Sequence, residues 1–531
     1  MMARCVFAAV MVFLIGVGTA CGQDKDADRM EKIEKQIESL TRELESMKSQ
    51  GTIDKRIDEL RERLLFDEAQ MRKSGSNIGY KDGFYVRTDD EKFEIKLGGR
   101  VMADWWMYEG GIVEPVATAY TWPAVQPHVP GAGEMTDTFF IRRAYLDVSG
   151  HMWGKAHPFK IQMDFAAPTT ELKEAYMGLE YVPWMKFRMG MFKPPIGREH
   201  LQSSRFITLV ERSLINDLLC QEYDSGVMVH GDLFDGMLNY ATGVFNGTYT
   251  TSWQRNVNDN NDAKDWVYRL VAKPFKDSKN QWLEGFEIGH DLMIGEQPAG
   301  GGIRGRTAGD IDYYPSNVAF PGAAVTGVGT QMRQWNPSSA SWWGPTAGAQ
   351  VHGERRIVGV DAAWYVGPFA LVGEYMNARE HRDDLPIAGA TSRYVSPRAF
   401  SLAPIEHSGW YVTASYVLTG EKKTDKGVTP NKDFEPMKGG WGAWEIAMRI
   451  EGIEHQSMDP ILVYNYRNDF GARRTEPIYH LQDNAFTLGV NWYLNRNVAV
   501  KWNWVHDSFD EKLMAEDCDT DTFMTRFQIW W

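Results

Sequence analysis

The chain has 531 residues, enough for several globular domains or for one large barrel. Its formal charge of −14 argues against a nucleic-acid surface, which needs clustered basic residues, so any preference for anions has to come from local charge. An aromatic load of 20 Trp, 22 Tyr and 25 Phe fits either the interfacial girdles of a membrane barrel or a large aromatic core.

Residues 1–20 read as a secretory signal peptide: Arg4 precedes an apolar run to Val17, and small residues Gly18, Thr19 and Ala20 close it. Cleavage after Ala20 would leave Cys21 first, as in a bacterial lipoprotein. Gly18 stands where that signal usually has a larger aliphatic residue, so ordinary cleavage is the expectation. No other stretch reaches the ~18 apolar residues that a membrane helix needs. Of four cysteines, Cys5 lies in the signal and Cys21, Cys220 and Cys518 are far apart. Neither a disulfide framework nor a zinc site follows from that spacing, and a Cys220–Cys518 bridge is the alternative to free thiols.

Residues 21–75 change character. Met30, Ile33, Ile37, Leu40, Leu44 and Met47 recur in steps of three and four, the seam of a coiled coil, and Ile53, Ile57, Leu60 and Leu64 restart it after Gln50, Gly51 and Thr52. The spacing predicts a short α-helical coiled coil in the periplasm, which favours an oligomer. A helical hairpin folding on itself is the other reading.

Residues 76–531 read as a barrel, with the period dropping to two from about Lys92. Phe159, Ile161, Met163 and Phe165 alternate with Lys160, Gln162 and Asp164. Met177, Leu179 and Tyr181 face away from Glu174, Tyr176 and Glu180, and Trp444, Ile446, Met448 and Ile450 oppose Glu445, Ala447, Arg449 and Glu451. Runs of this length fit membrane strands of roughly 9–11 residues. A soluble β-sandwich shows similar alternation, but Phe523, Thr525, Phe527, Ile529 and Trp531 put a final apolar strand at the last residue. A closed barrel needs such a strand to pair with its first. Short turns such as Asn495-Arg496-Asn497 alternate with long insertions at about 108–137, 197–224, 246–264 and 296–352, as outer-membrane barrels require.

Several segments resemble the phosphate-selective porin O and P family: KFEIKLGGRVMADW (92–105), FFIRRAYLDVSG (139–150), LKEAYMGLEY (172–181) and KFRMGMFKPPIGREHLQSSRFITLVERSL (186–214). They continue, in family order, with ATGVFNG (241–247), GWYVTASYVLTGE (409–421), GWGAWEIAMRIE (440–451) and FTLGVNWYLNRNVAV (486–500). The resemblance implies an all-β transmembrane barrel of sixteen antiparallel strands, a homotrimer, and an inward-folded loop that narrows the pore. It also implies passive diffusion of small anionic or hydrophilic solutes, phosphate among them, through a barrel set in outer-membrane lipid.

Matched motif by motif, the constriction arginines of phosphate-selective members fall on Arg100, on Arg142 and Arg143, and on Arg212, and a neutral constriction residue falls on Ser203. Strand parity puts Arg100 and Arg143 on polar faces. Arg142 has the parity of Ala144, Leu146 and Val148, so only a bulge or bend would turn it inward. Two positions depart from the family: His200 stands where a constriction lysine is expected, and Lys173 where an acid is expected. The competing reading pairs these arginines with lumen carboxylates such as Glu174 or Asp164, as barrel architecture.

Other signals point nowhere. Gly300, Gly302 and Gly305 spell a G-x-G-x-x-G without the strand and helix that a dinucleotide site needs. His151, His157, His200 and His230 lack metal-ligand spacing, and neither a G-x-S-x-G elbow nor a Ser–His–Asp set appears. Asp383 and Asp384 read as loop charge. The expectation is a channel, not an enzyme, without cofactor, metal or nucleic-acid partner. A general porin, or an envelope anchor acting through the coiled coil, is the alternative; an outer-membrane hydrolase ranks last.

Overall fold

The computed structural model describes residues 77–110, 137–166, 170–247, 262–297, 348–385, 401–457, 479–511 and 518–531. The expected signal peptide and coiled coil lie outside these residues. Residues 77–80 and 85–90 belong to a small unit of their own, in which the Arg87 N–H donates to the Asn77 carbonyl at 2.7 Å. Two short strands occur at this start, β1 (Ile78–Tyr80) and β2 (Phe84–Arg87).

The strands that follow form the barrel. In chain order they are β3 (Glu94–Gly110), β4 (Thr138–His151), β5 (Pro158–Asp164), β6 (Glu171–Val182), β7 (Met185–Phe192) and β8 (Asp224–Leu233). Next come β9 (Leu238–Phe245), β10 (Asp265–Ala272), β11 (Phe286–Gln297), β12 (Gly348–Val366) and β13 (Phe369–Leu385). The last are β14 (Ser401–Val417), β15 (Ala443–Ser457), β16 (Tyr479–Asn495), β17 (Val498–Glu511) and β18 (Cys518–Trp530). Each pairs antiparallel with its neighbour in sequence, and β18 pairs with β3 from Thr520↔Gly110 to Trp530↔Arg100. The sheet is therefore closed, with sixteen strands, as expected. Closure leaves no strand edge without a hydrogen-bond partner, the condition for crossing hydrocarbon.

Side chains sort by the period-two rule. Met177, Leu179, Met189, Ile446 and Phe527 face outward and stay exposed, while Glu445, Arg449, Asp483, Asn491, Lys501 and Arg526 face the lumen and are buried. Outer aromatics gather toward the two rims: Trp444 stacks on Trp492 at 5.1 Å at one end, and Trp105 on Phe139 at 5.0 Å at the other. That placement is the girdle reading of the aromatic excess.

One register irregularity matters for the lumen. Between β3 and β4, Met102 faces Arg143 but Ala103 faces Ile141, so Arg142 is the extra residue of a bulge. The bulge frees Arg142 from simple parity, and both arginines reach the lumen. The alternative disulfide is overturned: Cys220 is a buried free thiol.

Candidate functional site

The connection from β7 to β8, residues 193–223, folds into the lumen and carries two short helices, α1 (Arg198–Leu201) and α2 (Leu214–Leu218). Pro194 and Pro195 end β7, because they have no N–H to continue the ladder. Gly197 then turns the chain with φ of 75°, where a Cβ would lie 2.5 Å from the Cys220 sulfur and 2.6 Å from Asn216 Oδ1. Only glycine fits that approach.

Three sets of ion pairs fasten this loop to the wall. In the first, Asp291, Asp361 and Glu374 offer oxygens within 4.8 Å of one another, close enough to share a cation. Guanidiniums take that role: Arg269 bonds Asp291 at 2.6 Å and Asp361 at 2.7 Å, and Arg198 bonds Asp361 and Glu287 at 2.6 Å each. The N–H groups of Gly197 and Arg198 donate to Asp291 and Glu374 at 2.9 and 2.8 Å. In the second, Arg449 bonds Glu199 at 2.5 Å, and the Leu214 N–H donates to Glu451 at 2.7 Å.

The third is Glu211, which receives Arg142 at 3.0 Å, Arg143 at 3.5 Å, and Arg526. Burial alone would push its carboxyl up, but the three guanidiniums outweigh that and hold it well below the usual range. Between these clasps, Lys501 donates to the Ile207 carbonyl and Asn491 to the Thr208 carbonyl, the latter at 2.8 Å.

On the β3–β7 side the loop leaves a cavity of about 210 Å³. Arg100, Arg143, Lys193 and Arg212 line it, with Ser203 and Ser204 and the acids Asp147, Glu174, Asp217 and Glu222. Arg100 donates to Ser203 Oγ and Ser204 Oγ at 2.9 Å each and lies 4.3 Å over the Tyr145 ring. Its Nε is buried without a partner. Arg212 donates to the carbonyls of Glu199 and Gln202 at 3.1 and 2.9 Å, and Lys193 donates to the His200 carbonyl at 2.5 Å.

Among the described residues, no carboxylate lies within ion-pair distance of Arg100, Lys193 or Arg212. Burial, with Arg212 and Arg100 nearby, pushes the Lys193 ammonium well below its ordinary range. Burial and the Lys193 and Arg212 charges push His200 well below its own, so that histidine is neutral near pH 7. A lysine and two guanidiniums, none of them in a direct ion pair, give this part of the cavity a locally positive field, while Glu174 and Glu222 act on Lys193 from farther off. Such a field favours an anion.

Of the residues expected from sequence, Arg100, Arg143, Ser203 and Arg212 meet at this cavity. Arg142 does not line it; its guanidinium is spent on Glu211. Glu174 and Asp164 are not the arginines' partners, because Glu174 takes Lys160 and Asp164 accepts the Ala144 and Ala166 N–H groups. Lys173 is paired with Glu171 at 2.7 Å. The residues that sequence reasoning missed are Lys193 and Ser204. The signal for Lys193 lay in FKPPIG, where Pro-Pro halts the strand beside the lysine and keeps it in the lumen.

A second cavity, about 290 Å³, lies toward β9–β14. Its cations are compensated: Arg198 and Arg269 as above, Lys273 by Glu287 at 2.9 Å, and Lys423 by Glu445 at 2.6 Å.

Comparison with known proteins fits this architecture. The sequence profile of phosphate-selective porin O and P matches residues 126–283 and 312–531. The chain belongs to the phosphate-selective porin O and P family. Porin O of Pseudomonas aeruginosa is 25% identical over 463 residues, spanning 85% of this chain and 91% of that protein. Two solved outer-membrane proteins are similar at lower identity. The channel DcaP of Acinetobacter baumannii is 9% identical with a TM-score of 0.44, over 84% of this chain and 99% of its own. The in-vitro folded, trimeric OmpT of Vibrio cholerae is 9% identical with a TM-score of 0.41, over 82% of this chain and 99% of its own. This member of the porin O and P family is a porin channel of the bacterial outer membrane.

Proposed function

We propose that the channel passes small anions by preference and holds phosphate at the cavity lined by Arg100, Lys193 and Arg212. The observation that carries this reading is that Arg100, Lys193 and Arg212 face one space with no carboxylate, among the described residues, in ion-pair distance of any of them, and with two seryl hydroxyls beside them. An anion in a narrow neck loses most of its water. Guanidinium forks, an ammonium and hydroxyl donors replace that hydration at fixed positions. Arg143 adds charge from the rim while its main bond is to Glu211.

The four acids on the same cavity favour a second reading, a general porin with weak selectivity. Lys160 already neutralises Glu174, and Glu222 is half exposed, so their field at the three cations is reduced. The family resemblance favours a homotrimer. The signal peptide, and an envelope-anchoring coiled coil over 21–75, belong to the same proposal. Deleting residues 24–72 tests the anchor, which predicts an envelope defect with conductance retained.

Planar-bilayer recordings under a salt gradient, with phosphate as competitor, test the channel reading. Anion-selective steps blocked by phosphate are expected, with block and anion preference falling in the Arg100→Ala/Arg143→Ala/Arg212→Ala variant. Unchanged selectivity in that variant would remove these residues from the mechanism.

A further inference from the structure

Most connections at the short-turn end of the barrel are tight, but the one joining β14 to β15 runs from residue 418 to 442. It turns into the lumen and is firmly built. Lys423 is buried and bonds Glu445 at 2.6 Å, and its N–H donates to the Gly367 carbonyl at 2.8 Å. Glu421 accepts the Asn431 N–H at 3.1 Å. Val428 packs with Val417, Ala443, Tyr493, Ala499 and Trp530. The tip closes on itself, with Thr424 and Gly427 exchanging N–H···O bonds of 3.2 and 3.0 Å.

That tip touches the inward loop where the anion site depends on it. Gln202 Nε2 donates to the Asp425 carbonyl at 2.6 Å, and Phe206 sits against Trp530 and Gly427. The Gln202 carbonyl in turn receives Arg212 at 2.9 Å, and the next two residues, Ser203 and Ser204, receive Arg100. Gln202 also has a place on both cavities. We infer that Gln202 is a positioning residue for the anion site and that the 418–442 connection is the strut that holds it from the far end of the barrel. This rests on the reading of Arg100, Lys193 and Arg212 as the anion site.

The argument is one of order. Between α1 and the clasp at Ile207, hydrogen bonds hold the segment 202–206: Arg100 on Ser203 and Ser204, Gln528 donating to the Arg205 carbonyl at 3.2 Å, and Gln202 on the strut. Of these, the strut contact is the one at the residue whose carbonyl receives Arg212, so losing it loosens the spacing between Arg100 and Arg212. With it, the spacing exists before the anion arrives. Preorganised donors of this kind bind more tightly than donors that must be gathered.

Phosphate block of chloride current in planar bilayers, using the full-length protein, tests the inference. Gln202→Leu keeps the bulk and loses the amide; a second variant replaces Thr424–Gly427 by two glycines. Gln202 Nε2 also donates to the Phe206 carbonyl at 3.2 Å, so Gln202→Leu removes that bond as well; each variant is expected to raise the half-blocking phosphate concentration about three- to tenfold, and the double variant no further than Gln202→Leu alone. Shifts that multiply, or wild-type block in Gln202→Leu with the barrel folded, would overturn the strut. A wild-type channel that phosphate does not block would instead remove the anion site itself, so the two failures are distinguishable.

Discussion

Lys193 makes the site titratable in a way that arginines alone would not. Burial among like charges holds its ammonium well below the ordinary lysine range, and a bound anion relieves part of that penalty. Binding therefore takes up a proton, and affinity falls as pH rises through the lowered value. Sulfate is the useful probe, because its own charge does not change over this range. Its block should weaken at alkaline pH in the wild type, and Lys193→Arg should flatten that profile while keeping block at neutral pH. A profile as steep in Lys193→Arg as in the wild type would assign the titration to another group. His200 does not confuse the test, since it is already neutral near pH 7.

At the scale of the element, the inward loop is a strap whose shape is set by charge pairs with distant strands. Glu211 is its busiest clasp, and Glu211→Gln would remove the charge that Arg142, Arg143 and Arg526 share. Removing one partner from a buried pair costs on the order of 3–5 kcal/mol. The expected result is a folded barrel with larger, noisier unitary conductance and reduced anion preference, read in single-channel records. Quiet wild-type steps would show that the clasps at Asp361 and Arg449 hold the loop alone.

The strap also marks how far the sequence could be read. The strands were legible because Met177, Leu179 and Tyr181 repeat with the sheet's own period, and the closing run to Trp531 advertised its exposed face. The clasps were not, because Arg526 and the Val210 carbonyl that it bonds are 316 positions apart. The bulge at Arg142 was illegible for a related reason. Two residues opposing one is a property of the pair of strands, and parity along β4 alone gave the wrong face.

Across the whole molecule, barrel closure and the anion site share one strand. β3 carries Arg100 into the lumen and also receives the end of the chain: Gly99 and Trp531 exchange N–H···O bonds of 3.1 Å each, and Arg100 lies opposite Trp530 in register. Gly99 has no room for a side chain, since a Cβ there would sit 2.6 Å from both the Trp531 ring and the Tyr145 carbonyl oxygen. Tyr145 is the residue whose ring lies under Arg100. A side chain at position 99 thus pushes on the seam and on the floor of the site together. Gly99→Ala should destabilise the barrel by about 1–3 kcal/mol, the usual cost of overpacking. The measurement is the temperature at which the compact folded band gives way to the unfolded one on heating in detergent. A lower temperature, accompanied by weaker phosphate block in channels that do fold, is the expected pair of results. A lower temperature with unaltered block would mean that β4 absorbs the strain before it reaches Tyr145. An unaltered temperature would mean that the Trp531 ring simply swings aside, and that the seam is held by its backbone ladder alone.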